Sequence, residues 1–187
     1  NARVAWALGA FGRIIDESGF VEAALRNADY ALERQLPNGW FAECCLTDPD
    51  KPLVHTLAYT MRGLLELGLV TGRGDLVDAA RRTADSLMQG MDREGCIPGR
   101  WDRDFRKAAR WCCLTGAAQS SIVWSKLHQR TGEGRYLEAV RRVNLYLMRH
   151  HDIRSTDDRI RGGVPGSWPV WGAYGRFLIL NWATKFL

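Results

Sequence analysis

Apolar residues recur at helical spacing through most of this chain. From His55 to Leu67 they fall at Leu57, Ala58, Met61, Leu64 and Leu65. A turn from Gly68 to Asp75 holds three glycines, and the period then resumes at Leu76, Ala79, Ala80, Thr83, Ala84 and Leu87. The pattern reads helix, turn, helix, and it returns. The segment TGRGDLVDAARRTADSLM, Thr71 to Met88, reappears 60 residues later as TGEGRYLEAVRRVNLYLM, Thr131 to Met148. A fainter echo lies 56 residues upstream of the first copy, where Phe20-Val-Glu-Ala-Ala aligns with Leu76-Val-Asp-Ala-Ala. Self-similarity of this length marks supersecondary units that stack or close into a ring.

The third unit repeats the plan with Thr115 to Arg130 and Arg135 to Arg149, and the first places its helices near Ala2 to Ile15 and Phe20 to Gln35. After each second helix comes a longer connection carrying Gly and Trp: Gly39-Trp40, Gly99-Arg-Trp101 and Gly166-Ser-Trp168. A fourth leading helix is expected around Tyr174 to Leu187. The expected organisation is all-α and a single domain over 1–187, with units of about 2–53, 54–114 and 115–171 and a half unit at 172–187. One hairpin leaves its inner face uncovered, so the units must pack on one another. The first helices, more apolar and carrying small residues such as Gly63 and Gly116, are expected to form the inner layer.

Composition narrows the class. With 187 residues and 46% apolar content the chain can bury one core. No apolar run reaches the roughly 18 residues of a membrane span, and NARVAWALGAF lacks the basic region and cleavage site of a signal peptide, so a soluble protein is expected. The first residue is not Met and the last residues continue an apolar pattern, which reads as a piece of a longer protein. The net charge of +5 rests on 22 Arg and 4 Lys, a preference for planar bidentate partners such as carboxylates. The arginines are scattered through the repeats (Arg62, Arg81, Arg82, Arg141, Arg142), where they read as the wet face, and no nucleic-acid module is present. Cysteines 44, 45, 96, 112 and 113 form two vicinal pairs and a singleton, which points to a reducing, cytoplasmic setting rather than a disulfide framework. A zinc site built from one Cys of each pair with His55 or an Asp would lack the usual CxxC spacing, so no metal and no cofactor is expected.

With the repeated hairpins in view, the chain resembles the α/α toroid superfamilies, which include six-hairpin glycosidases and sugar epimerases and also terpenoid cyclases and protein prenyltransferases. The segment Gln35-Leu-Pro-Asn-Gly39-Trp40 is similar to the Gln-and-Trp repeat motif of squalene-type cyclases, one residue shorter. The other two connections lack the Gln, and there is no Asp-rich acid motif. Arg110-Trp-Cys-Cys-Leu-Thr-Gly116 resembles lanthionine cyclases, without their downstream Cys-His pair. The resemblance implies an α/α toroid or part of one. Its members differ in chemistry.

Connections from a second helix to the next first helix must all emerge at one end of the ring, so their chemistry is pooled there. Glu43, Asp102 and Asp104 lie on two such connections, as two-carboxylate acid and base chemistry requires, and His55 opens an inner helix beside them. Trp40, Trp101, Trp111, Trp168 and Trp171 are candidate platforms for sugar rings or carbocations, or plugs between hairpins. Arg110 and Arg161 are candidate anion contacts, and Gln119 on an inner helix could reach a ligand in the ring centre. The expected function is a carbohydrate-active enzyme, a hydrolase, lyase or epimerase, acting on an anionic or lipid-linked saccharide by general acid/base chemistry. The alternatives are a prenyl-type enzyme with a polyprenyl ligand and a non-catalytic repeat protein that binds a glycan or protein. A homo-oligomer, or further hairpins, would cover the open inner layer.

Overall fold

A computed structural model of the chain describes residues 2–187. Three helical hairpins follow one another: α1 (Ala2–Ile14) with α2 (Ser18–Leu32), α3 (Val54–Thr71) with α4 (Gly74–Gly90), and α5 (Leu114–Thr131) with α6 (Gly134–Arg149). A short α7 (Asn181–Phe186) ends the chain. Within each pair the helices pack along their length, and α1, α3, α5 and α7 also pack side by side in that order. They are the inner layer.

Burial follows from the two layers. Helices α3 and α5 are covered by neighbours on both sides, so Leu57, Met61, Leu64, Leu65 and Leu67 of α3 are fully buried. Each such side chain contributes about 1.5–3 kcal/mol relative to exposure. The outer helices α4 and α6 bury one stripe only: Leu76, Ala79, Ala80, Thr83, Ala84 and Leu87 in the first, and Tyr136, Ala139, Val143, Tyr146 and Leu147 in the second. Trp124 of α5 plugs the seam between units, its indole N–H donating to Ala84 O at 3.0 Å.

The turns at one end are short. Helices α3 and α5 close on Gly72 and Gly132 at φ 77° and 71°, the left-handed conformation that a glycine enters without strain. Gly68, read from sequence as part of the first of these turns, lies inside α3, buried under Leu76 and Val77 of α4. At the other end the long connections pair with one another. Val54 N–H donates to Gly99 O (3.0 Å) and Trp101 N–H to Pro52 O (3.3 Å), joining the first connection to the second. The two-residue strands β1 (Cys112–Cys113) and β2 (Ser167–Trp168) pair antiparallel, Cys112 with Trp168 and Cys113 with Ser167, joining the second to the third.

The fourth leading helix is shorter than its apolar pattern suggests. Residues 172–180 are irregular: Gly175 adopts φ 60°, the Ser167 hydroxyl donates to Tyr174 O at 2.6 Å, and Pro165 bridges to Ile179. These ties to the third connection compete with helix formation until Asn181.

Candidate functional site

Six of the sequence-predicted residues gather in two places, Trp40, Glu43, Asp102 and Asp104 in one and His55 and Gln119 in the other, and the rest lie outside both. At the connection end, a cleft of about 530 Å3 is lined by Trp40, Glu43, Asp102 and Asp104 together with Asp50, Lys51 and Arg103. Asn38 on the first connection donates to Arg103 O on the second, 2.9 Å, and holds the cleft's walls in register. Each candidate carboxylate already has partners. Glu43 accepts from the Tyr30 hydroxyl (3.0 Å) and Arg34 Nε (3.2 Å), and these hydrogen bonds hold its carboxyl below the ordinary carboxylate range. An acid needs the opposite shift. Asp102 accepts the backbone N–H groups of Asp104 and Arg106, at 3.0 and 2.8 Å, and so shapes its own loop. Asp104 is exposed and pairs with Arg106 at 3.1 Å.

Three of the five candidate tryptophans are buried in the packing. Trp101 is 1% exposed, its ring filling the space a Cβ would need at Gly90 of α4. Trp111 lies over Gly99 in the same way, and Trp40 is buried. So buried, Trp101 has no face open to a sugar, and Trp40 and Trp111 present only the small part of their rings that lines a cavity. Trp168 and Trp171 are the open ones, 40% and 49% exposed; Trp168 meets the His150 ring at a tilt, centroids 4.4 Å apart, and lines a separate cavity of about 600 Å3. Arg110 is exposed beside Trp111, and Arg161 is exposed and paired with Asp158. These two arginines do not meet the carboxylate cleft.

The second place is the inner face of the inner layer. Residues 55, 59, 62 and 66 of α3 fall at i, i+4, i+7 and i+11, one stripe along the helix. His55 meets Gln119 of α5, with Gln119 Nε2 3.2 Å from His55 Nδ1, and its ring lies 4.6 Å from Tyr59 and 4.9 Å from Tyr174. Burial, with a smaller contribution from the Arg3 charge, lowers the His55 pKa to about 4, so its imidazole is neutral at neutral pH. Gln119 is fully buried, and its side-chain oxygen has no hydrogen-bond partner among the described residues.

Further along the stripe the face becomes charged. Arg3 of α1 lies 4.7 Å over the Tyr59 ring and 5.7 Å from Phe186 of α7. Arg62 lies 5.5 Å from the Trp6 ring. Glu66, 8% exposed, pairs with Lys126 of α5 at 3.1 Å and with Arg62 at 3.6 Å. Three cations thus face one carboxylate. Among the described residues, Arg3 Nη1 is buried without a hydrogen bond and Arg62 Nε has only its 3.6 Å ion pair with Glu66, and burial together with the neighbouring Arg62 depresses the Arg3 pKa. A guanidinium N–H left without a hydrogen bond in a partly dry, net-positive face is costly alone and suits a carboxylate or phosphate.

Sequence reasoning placed Gln119 toward the ring centre but assigned Arg62 to the wet face and passed over Arg3, Tyr59, Glu66 and Lys126. The available signal was the polar and aromatic stripe itself, interrupting an otherwise apolar inner helix.

No protein-family model matches the chain, and no curated protein matches it in sequence. Solved structures match in fold. A UGL variant with dGlcA-Glc-Rha-Glc superimposes with a TM-score of 0.76 at 13% identity over 97% of this chain and 54% of that one. The cellobiose 2-epimerase of Bacillus thermoamylovorans gives 0.71 at 13% over 98% and 50%. An inactive α-1,6-mannanase of Salegentibacter sp. in complex with α-1,6-mannotetrose gives 0.66 at 16% over 86% and 48%. The fold is the repeated α/α-hairpin fold of these structures, part of an α/α toroid, and the chain spans about half the length of each of them. Among the described residues no helix is long and apolar enough to cross a membrane.

Proposed function

We propose that this chain contributes to a carbohydrate-active enzyme of the α/α-toroid type whose ligand is an anionic saccharide bound on the inner face. The observation that carries the reading is the stripe of His55, Tyr59, Arg62 and Glu66 facing Arg3, Gln119 and Lys126. Neutral His55, oriented by Gln119, is the proton-transfer group. Arg3, Arg62 and Lys126 receive the anionic group, in place of Arg110 and Arg161, and Trp6, Tyr59 and Tyr174 supply faces for sugar rings. The charged lining supports a saccharide over a polyprenyl chain, whose cation would be repelled there. The named ligands and activities of the fold relatives, sugars in each case, agree with this choice.

Glu66 cannot serve as the acid/base partner of His55, since eleven residues of helix separate them by about 16 Å. A second reading therefore keeps acid and base at the connection end, favoured by the convergence of Glu43, Asp102, Asp104 and Trp40 on one cleft.

The test is binding and turnover of matched uronate-containing and neutral oligosaccharides by the full chain. On the first reading the uronate is preferred, Arg62→Ala weakens its binding by about tenfold or more, and Glu43→Gln and Asp102→Asn change turnover by less than about twofold. Loss of turnover in those two loop variants, with His55→Gln active, would transfer the chemistry to the cleft. Equal binding of neutral and anionic sugars would remove the anionic ligand from the proposal.

A further inference from the structure

Two cysteines meet at the base of the second connection, away from both places just described. Cys96 closes a tight turn in which Asp92 N–H donates to Cys96 O at 3.1 Å and Gly95 N–H to Asp92 O at 3.2 Å. Cys112 opens β1 sixteen residues later. An antiparallel bridge between Pro98 and Cys112, and the 2.7 Å bond from Gly99 N–H to Trp111 O, hold the two ends of the loop side by side. The Cys96 and Cys112 sulfurs and the Tyr146 hydroxyl are neighbours that shift one another's titration. No disulfide joins them.

Their surroundings differ as an attacking and a resolving sulfur should. Cys112 is fully buried. Cys96 is half-buried and lines a cavity of about 580 Å3 with Asp92, Lys107, Arg110 and Trp111. The Cys112 and Tyr146 donors lower the Cys96 pKa against its burial and the Asp92 charge, with Lys107 assisting, whereas burial first, and then the Cys96 neighbour, push Cys112 well up. The other vicinal pair lacks this arrangement: Cys44 is tied to Thr60 Oγ1 at 3.3 Å and its pKa is raised by burial.

We propose that Cys96 and Cys112 form a reversible disulfide under a hydroperoxide oxidant, Cys96 attacking and Cys112 resolving. In the first step the Cys96 thiolate displaces hydroxide from hydrogen peroxide and becomes a sulfenic acid; the hydroxide takes a proton from solvent and leaves as water. In the second, the Cys112 sulfur attacks the sulfenic sulfur, the S–S bond forms, and the thiol proton leaves with the hydroxyl as a second water. Two thiols lose two electrons and the peroxide gains them. The bond would close a loop over residues 97–111, which carries Trp101, Asp102 and Asp104, and so tie the cleft's second wall to β1.

The experiment treats reduced full-length chain with stoichiometric hydrogen peroxide, alkylates the remaining thiols, and maps peptides by mass spectrometry with and without later dithiothreitol. The expected result is an intramolecular Cys96–Cys112 cross-link, a mass lower by two hydrogens, reversal by the reductant, and an unchanged cross-link in a Cys44→Ser/Cys45→Ser double variant. In Cys112→Ser the same dose should leave a sulfenic acid on Cys96 that dimedone traps. The wild-type map stands as the test even where that variant does not fold. Preferential oxidation of Cys44 or Cys45, an intermolecular cross-link, or survival of both Cys96 and Cys112 as thiols would overturn the proposal.

Discussion

At the scale of single residues, His55 offers a reading of the inner face that needs no ligand. Its pKa is lowered to about 4 from 6.5, so between these values the unfolded chain binds a proton that the folded chain refuses. Stability must then fall as pH drops from about 6.5 and stop falling on this account below about 4, where the folded protein is protonated as well. Thermal melts of wild type and His55→Gln between pH 4 and 7 should diverge in this window, with the variant's profile the flatter. Parallel profiles would mean that the imidazole is wetter than its packing against Tyr59, Tyr174 and Gln119 implies. The candidate site was only partly legible from sequence for the same reason that this histidine is perturbed. Arg3, His55, Gln119 and Phe186 are brought together by the packing of four separate helices. A lone Arg62 in a helical stretch looks like any solvated arginine until its neighbours Trp6 and Glu66 are known.

At the scale of the elements, the hairpins were readable because the hydrophobic period and the TGRGD and TGEGR turns repeat together, and two independent copies make a shared error improbable. The inner position of the leading helices followed from their small residues, and Gly116 shows why. A Cβ there would lie 2.5 Å from a Val54 methyl and 2.7 Å from the His55 backbone nitrogen, so α5 approaches the start of α3 without room for a methyl. Gly116→Ala should cost about 1–3 kcal/mol through overpacking, a fall of roughly 2–10 °C in Tm. Because the separation it forces opens the His55–Gln119 contact, saccharide binding should weaken more than at Gly74→Ala, where a Cβ meets open space. An unchanged Tm would show that the two helices can slide apart freely. The fourth leading helix was over-read because its apolar residues keep a helical period while the chain around Gly172 and Gly175 is committed to the third connection, a tertiary preference that local pattern does not carry.

At the scale of the molecule, three hairpins and a short helix form an arc, and the fold relatives are about twice as long. The arc's two edges are apolar: Val4, Phe11 and Ile14 of α1 are 62%, 49% and 82% exposed, and Phe177, Leu178 and Trp182 near α7 are comparably open. Large exposed apolar areas mark association surfaces. Two copies meeting edge to edge would approximate a ring, but they would also turn two inner faces, each with Arg3, Arg62 and Lys126 against Glu66, toward one another. That arrangement predicts an unusual salt dependence. Closure should be opposed by like charge at low ionic strength, and at about 0.15 M, where the screening length is about 8 Å, the opposition should weaken. Light scattering should therefore show the dimer fraction rising with salt, and rising further at fixed salt when an anionic oligosaccharide is added, with Arg62→Ala dimerising more readily than wild type in low salt. Dissociation on adding salt would indicate an ion-paired interface elsewhere on the surface, and a monomer at every ionic strength that binds no apolar dye would show that the edges are satisfied within the arc itself.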